Sequence, residues 1–78
     1  MSKEQIETVQ NWFDFGSSEE RSFRTNYGNG EYFVADSDVG AFGDFISEAF
    51  PDLIGIACMV GKGGIWFWDS SLENAHFI

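Results

Sequence analysis

The sequence predicts an α+β fold: a small antiparallel sheet of about four strands, built from two hairpins and packed with two or three short helices. Two segments repeat apolar residues at helical spacing, and each is followed by apolar runs that meet at a glycine-containing turn. The chain has 78 residues, of which 44% are hydrophobic and 18% aromatic. This length and composition indicate one domain, residues 1–78, with a dense core.

The first helix is expected at about residues 3–14. Ser2 is a suitable N-cap, and Gln5, three residues later, would complete a capping box. Gly16 is expected to end the helix. The apolar positions that recur at helical spacing are Ile6, Val9, Trp12 and Phe13.

The first hairpin is indicated by the dipeptide Asn29-Gly30, because both residues tolerate the positive φ of a tight turn. Its arms are expected at about 21–27 and 31–35. Alternation along the second arm would place Tyr32 and Val34 on the same face.

The second helix lies in the segment DSDVGAFGDFISEAF, and Pro51 should end it. Its apolar stripe comprises Val39, Phe42, Phe45, Ile46, Ala49 and Phe50. Its candidate N-terminal caps are Asp36, Ser37 and Asp38. Gly40 and Gly43 weaken a helix by up to about 1 kcal/mol each relative to Ala, and close packing is the expected reason for them.

The second hairpin is expected to have arms at about 53–60 and 65–69, joined by the turn GKGG. The final segment, SSLENAHFI, would form either a helical turn capped by Ser70 or Ser71, or a short edge strand.

The stretch IWFW in the last long strand is apolar on both faces. Trp66 and Trp68 would share one face of the strand, and Ile65 and Phe67 the other. We expect helices to cover one face, and the termini or the segment SSEERSF to cover at least part of the other. Trp66 and Trp68 are then either core residues or a secondary apolar anchor for a protein partner.

The residues that catalysis or cofactor binding would need are scarce. Cys58 lies in the apolar run LIGIACMV and is expected to be a buried hydrophobic residue, while His76 is close to the C-terminus. The segments GKGG and DSDVGAFGD lack the spacing of a phosphate-binding loop and of a calcium loop. We therefore expect no enzyme activity, no catalytic residues, no cofactor and no metal site.

The net charge of −9 is the most informative bulk property of the chain. Thirteen Asp and Glu residues stand against four Lys and Arg, so nucleic acid and anionic membranes would be repelled and basic proteins attracted. Solubility alone is the other explanation of this acidity. The polar start of the chain and its single cysteine predict a cytoplasmic protein.

Six acids follow one another without an intervening basic residue between Glu31 and Lys62. They are Glu31, Asp36, Asp38, Asp44, Glu48 and Asp52. Asp44 and Glu48 are four residues apart on the second helix, where like charges repel by a few tenths of a kcal/mol. The expected partner-binding site is an acidic face, made of these six residues, that occupies a basic groove.

A small, acidic, aromatic-rich domain with this run of acids resembles the anti-defence proteins of phages and mobile elements, most of all the small type I anti-CRISPR inhibitors. The resemblance is one of type and involves no shared motif. It implies a DNA-mimicking face that binds the host surveillance complex where target DNA, often its PAM region, should dock. We expect a monomer that acts by occupancy, without chemistry.

Two other functions remain open at this point. An immunity protein or antitoxin that neutralises a basic toxin nuclease would need the same acidic face. An enzyme would instead need a concave site with a perturbed acid or base.

Overall fold

The computed structural model describes residues 1–15, 21–25, 28 and 30–78, and it confirms the α+β prediction. The chain forms three α-helices, one short 3₁₀-helix and six strands within those residues. In chain order they are α1 Lys3–Phe15, β1 Phe23–Arg24, β2 Glu31–Ala35, the 3₁₀-helix Asp36–Asp38, α2 Val39–Ala49, β3 Leu53–Gly55, β4 Met59–Gly61, β5 Gly64–Trp68, α3 Asp69–Glu73 and β6 His76–Phe77.

The main sheet has four antiparallel strands in the order β1-β2-β5-β4, and β2 and β5 are its central pair. Tyr32 lies opposite Phe67 and Val34 opposite Ile65, so these four side chains share one face. Trp66 and Trp68 point to the other face, which confirms the predicted alternation.

The core lies between the main sheet and the helices. The rings of Tyr32 and Phe67 stack at 4.8 Å, and Trp12 of α1 meets Phe42 of α2 edge-on at 5.0 Å. Aromatic residues therefore supply most of the contact between the layers, as a short chain needs if it is to bury enough apolar surface. The buried apolar residues are Val9, Trp12, Tyr32, Val34, Ala35, Phe42, Phe50, Phe67 and Leu72.

Helix α1 begins at the predicted capping box. The Ser2 hydroxyl accepts a hydrogen bond from the Gln5 backbone N–H at 3.2 Å, and the Gln5 side-chain oxygen accepts one from the Ser2 N–H at 2.8 Å. Two backbone donors that a helix start leaves without partners are thereby satisfied. The predicted end at Gly16 lies outside the described residues.

Helix α2 ends before Pro51 as predicted, but its start differs from the expectation. A 3₁₀ turn precedes it, and no side-chain hydrogen bond caps its N-terminus. The expected packing reason for Gly40 and Gly43 is wrong, because a Cβ atom at either position would meet no atom within 4 Å. Val39 and Ala49, both expected in the apolar stripe, are exposed.

The second hairpin is shorter than predicted because its first arm is divided. Only β4 pairs with β5, across the two-residue turn Lys62-Gly63, in which Gly63 adopts a φ of +86°. β3 pairs instead with β6 in a separate two-stranded sheet. The C-terminal segment therefore contains both of the alternatives considered for it, the helical turn α3 and the short strand β6.

The first hairpin is present with a shorter first arm than predicted. β1 pairs with β2 antiparallel, with Phe23 opposite Phe33 and Arg24 opposite Tyr32. Gly30 has a φ of +61°, whereas Asn29, the other predicted turn residue, lies outside the described residues.

Candidate partner-binding surface

Four of the six acids predicted to bind a partner are exposed, and they belong to α2 or flank it. Asp44 and Glu48 lie on the helix itself, while Asp36 precedes it and Asp52 follows it. Helix α2 is about 16 Å long, and Asp36 and Asp52 lie beyond its two ends. We call these four residues the acidic α2 surface.

Asp38 does not belong to this surface. Its side chain is 2% exposed, and its carboxylate accepts a hydrogen bond from the Ser22 hydroxyl. The same hydroxyl also accepts a hydrogen bond of 2.9 Å from the Ala35 N–H. Asp38 thus ties the start of α2 to the segment before β1, and this placement corrects the expectation that it contributes to the acidic face.

Glu31, the sixth predicted acid, is half-buried at the far end of β2 from α2. It lies opposite Trp68 in the register of the main sheet. Its backbone N–H donates to the Thr25 hydroxyl at 2.9 Å. Glu31 is therefore separated from the acidic α2 surface by the length of a strand.

The positive charges of the described residues lie elsewhere than on α2. Arg24 forms a salt bridge of 2.8 Å to Asp14 of α1, the one ion pair found in the described part of the chain. Its hydrogen bond and charge lower the pKa of Asp14. Helix α2 contains no Lys, Arg or His, so its two carboxylates have no cation on their own helix.

An apolar groove of about 310 Å³ runs along one side of α2. The helix contributes Phe42, Gly43, Ile46 and Ser47 to its wall. The opposite wall comes from β3, the segment after it and β5, and includes Ile54, which is 68% exposed. We call this feature the α2 groove.

Cys58 also lines the α2 groove and is exposed, so the prediction of a buried cysteine is wrong. The predicted hairpin arm is divided, so residues 56–58 belong to neither sheet and connect β3 of the two-stranded sheet to β4 of the main sheet.

The open face of the main sheet carries an aromatic cluster. Phe33 and Trp66 lie 4.7 Å apart between ring centres, and Phe23 packs edge-on to Trp66 at 5.7 Å. Phe23 remains 43% exposed, and Trp66 and Trp68 are half-buried. Phe23 thus covers part of this face, which agrees with the expectation that the segment SSEERSF would do so. Residues 17–20 of that segment lie outside the described part.

The termini do not cover the open face, contrary to one of the expectations. The N-terminal ammonium donates to the Leu72 carbonyl oxygen at 2.9 Å, and Leu72 belongs to the core on the helix side. Phe77 of β6 packs against the same core. Trp66 and Trp68, the predicted secondary anchor, are left on a face that the termini leave open.

A partly buried polar network joins α1, β2 and α3. The Tyr32 hydroxyl donates to Asp69 at 2.5 Å and accepts from the Gln10 side-chain amide at 3.2 Å. Burial, followed by the hydrogen bond to Asp69, raises the pKa of Tyr32 to about 12. Tyr32 thus stays protonated and holds α3 against the sheet, which is a structural role.

The described residues contain no group of three or more His, Cys, Asp or Glu side chains that could hold a metal ion. Within the same residues, no helix combines the length and the apolar character required to cross a bilayer.

Comparison with known proteins finds no matching family model, no matching curated protein and no matching solved structure. A function for this chain is therefore inferred from its own charges and surfaces.

The α2 groove is the feature that sequence analysis missed. Its walls are apolar residues that the periodicity assigned to the core, and periodicity does not show which core positions stay uncovered. One signal was available: residues 53–68 contain no acid at all in a chain of net charge −9.

Proposed function

We propose that this protein is a stoichiometric inhibitor of a basic, DNA-binding host complex, and that its target is a type I CRISPR surveillance complex. It binds through the acidic α2 surface and occupies the site where target DNA and its PAM would dock. The observation that carries the proposal is the pair Asp44 and Glu48, exposed one turn apart on a helix that has no cation of its own.

A DNA-binding channel is lined with Lys and Arg side chains that neutralise phosphates. Carboxylates four residues apart on a helix are separated by about 6 Å along its axis, which lets neighbouring cations contact them together. Asp36 and Asp52 extend the same negative field beyond both ends of α2.

The charge distribution also favours a basic partner over a purely solubilising role. A soluble surface usually intersperses both signs of charge. On α2 the acids stand alone, and the salt bridge between Asp14 and Arg24 lies on α1 and β1. A single-sign surface steers association with an oppositely charged one and makes binding sensitive to salt.

The test is inhibition of DNA binding by a purified type I surveillance complex, measured by mobility shift of a PAM-containing target duplex. An equimolar amount of the protein should block the shift, and its affinity should fall steeply from about 50 mM to about 500 mM salt. DNA binding that proceeds unaffected at every salt concentration would overturn the proposal.

Capture of the tagged protein's partners from a bacterial lysate separates the proposed target from the alternative one. Recovery of surveillance-complex subunits, lost at high salt, would support the proposal. Recovery of one small basic nuclease would instead identify an immunity protein or antitoxin, because that function uses the same charge complementarity.

A further inference from the structure

Strand β4 forms one edge of the main sheet. The strand order is β1-β2-β5-β4, so β5 pairs with one side of β4 and, among the described residues, no strand pairs with the other. All three residues of β4 are exposed, Met59 by 60% and Val60 by 85% of its surface. The unpaired backbone groups of such an edge are a template for another strand.

The register of the hairpin shows which backbone groups of β4 point outward. Gly61 and Gly64 face each other across the two-residue turn, so they form the hydrogen-bonded pair that closes it. Hydrogen-bonded and non-hydrogen-bonded pairs alternate along antiparallel strands, so the next pair, Val60 and Ile65, is not hydrogen-bonded. The N–H and C=O of Val60 therefore point away from β5, toward the open side of the edge.

The two edges of the main sheet are protected to different degrees. Proteins usually block an edge strand with a charged side chain, a proline or a bulge. The edge strand β1 carries Arg24, which is held by its salt bridge to Asp14. β4 has no charged residue and no proline, and its register with β5 is regular. Its length of three residues is the remaining protection, so a strand paired with it would be held weakly.

We propose that β4 of one copy pairs antiparallel with β4 of a second copy, centred on Val60, in a weak symmetric dimer with one eight-stranded sheet. Val60 lies opposite Val60 of the second copy, and the outward N–H of each donates to the C=O of the other. The two-fold axis is perpendicular to the sheet, so the helices of both copies lie on the same face. The inference is independent of the proposed function, and at low concentration the chain is the expected monomer.

The sizes of the side chains fit this register. Met59 of each copy lies opposite Gly61 of the other, so a long side chain faces a residue that has none. Met59, Gly61 and Trp66 share the open face of the sheet. A Cβ atom at Gly61 would lie 3.1 Å from Cδ1 of Trp66, so the Trp66 ring extends over this glycine. Met59 of the second copy therefore reaches that ring, and sulfur–aromatic contacts are favourable.

The charge distribution favours a second copy as the occupant of this edge. The chain has a net charge of −9, yet residues 53–68 contain no acid, and Lys62 is their one charged residue. Two copies thus meet along β4 without opposing the acids of either, whereas contact through the acidic α2 surfaces would set like charges against each other. Lys62 lies opposite Cys58 of the second copy, so the two cations are not neighbours. A basic strand of another protein would find no carboxylate on β4 or β5.

The first test is the association of the full chain between about 10 μM and about 1 mM. Sedimentation should show the mean mass rising from that of one chain toward that of two. In NMR spectra of the ¹⁵N-labelled chain, the amides of β4 should shift most with concentration. The Val60 amide should also gain protection from hydrogen exchange, because it becomes hydrogen-bonded only in the dimer.

A disulfide tests the register. Val60→Cys in a Cys58→Ser background places two thiols opposite each other, with Cα atoms about 5.5 Å apart, which a disulfide can bridge. Mild oxidation should convert this variant to a covalent dimer. Ile54→Cys in the same background is the matched control and should stay monomeric, because Ile54 is 68% exposed but belongs to β3.

A charge placed on the edge should prevent pairing. Val60→Lys sets two ammonium groups opposite each other and should weaken dimerisation about tenfold or more. The monomer should remain folded, since the Val60 side chain is exposed. Ile54→Lys changes the net charge equally and should leave dimerisation as it is in the wild type.

Four outcomes would overturn the inference. They are a mass that stays that of one chain up to about 1 mM, equal cross-linking of the two cysteine variants, dimerisation that Val60→Lys does not weaken, and concentration-dependent shifts confined to residues outside β4. A β4 edge that pairs only with a strand of a different protein would give the first of these. None of the four depends on the surveillance complex.

Discussion

Helices α1 and α2 are both acidic and amphipathic, yet their outward-facing sides are built differently. α1 begins at the capping box of Ser2 and Gln5, and its Asp14 is paired with Arg24. α2 has no side-chain cap, and its Asp44 and Glu48 repel each other one turn apart. The outer side of α1 is stabilised within the chain, whereas that of α2 is not.

The glycines of α2 add to the difference in stability between the two helices. Gly40 and Gly43 reduce helix stability, and nothing in the described structure packs against either of them. Departures from local stability rules tend to occur where a protein functions. The contrast between the helices therefore supports α2 as the side that meets a partner.

The largest expected effect is the loss of stability on truncating a buried aromatic side chain of either helix. It tests whether both helices are anchored equally to the core. Trp12→Ala in α1 and Phe42→Ala in α2 should each lower the free energy of unfolding by about 3–5 kcal/mol, because both side chains are buried. Urea denaturation measures both losses. A loss below about 1 kcal/mol for Phe42→Ala would show that α2 is not anchored to the core and would break the comparison.

Replacing glycine by alanine should lower the free energy of unfolding at Gly30, outside α2, and raise it at Gly40, within α2. Gly30→Ala should cost about 1–3 kcal/mol from backbone strain alone, since Gly30 has a φ of +61°. Its new Cβ would also clash with the side-chain carboxylate of Asp69. Gly40→Ala should instead raise the free energy of unfolding by about 0.5–1 kcal/mol. A destabilised Gly40→Ala variant would reveal a packing role that contradicts this account.

Removing the cap should affect α1 more than a comparable change affects α2. Ser2→Ala removes the acceptor of the Gln5 N–H and should cost about 1 kcal/mol. Ser37→Ala is the control, because Ser37 is an exposed serine near the start of α2, where no side-chain cap exists. Thermal unfolding measures the loss of stability in both variants. Equal losses would show that a side-chain cap does not distinguish the start of α1 from that of α2.

The smallest expected effect concerns the salt bridge. Arg24 lowers the pKa of Asp14 in the folded state, so the pair stabilises the protein above the unfolded-state pKa and loses its effect as the pH falls through the folded one. Asp14→Asn should cost about 0.2–1 kcal/mol near pH 7, since the pair is partly exposed. This cost should vanish once the pH has fallen below the lowered folded-state pKa of Asp14.

The matched control for the salt bridge is Asp44→Asn. It should be neutral or slightly stabilising near neutral pH, because it relieves the repulsion from Glu48. Urea denaturation of both variants at two pH values measures the difference. A cost of Asp14→Asn that persists at acid pH would show that the salt bridge is not its source.

The parts of the fold that depend on local signals could be predicted from the sequence. The Ser2 capping box, the alternation of Trp66 and Phe67 and the end of α2 before Pro51 are examples. The pairing of β3 with β6 could not be predicted, because it joins residues more than twenty positions apart and the turn signal between them, GKGG, belongs to the β4–β5 hairpin. That pairing divides the second hairpin and leaves Cys58 exposed.

The candidate site was predictable to a similar extent. Charge counting along the sequence identified the acids of α2, and Asp44 and Glu48 are exposed as a helical period requires. It could not distinguish Asp38, whose burial depends on Ser22, sixteen residues earlier in the chain. The α2 groove was hidden for the same reason, since its two walls come from distant segments.

The central claim is tested most directly by comparing two charge reversals of equal size. Asp44→Lys with Glu48→Lys changes α2, and Glu4→Lys with Glu7→Lys makes the same change in net charge at exposed positions of α1. Affinity for the surveillance complex is measured for both. The α2 variant should lose about 100-fold or more and the α1 variant less than about fivefold. Equal losses, or unchanged affinity of the α2 variant, would contradict the claim that α2 is the binding surface.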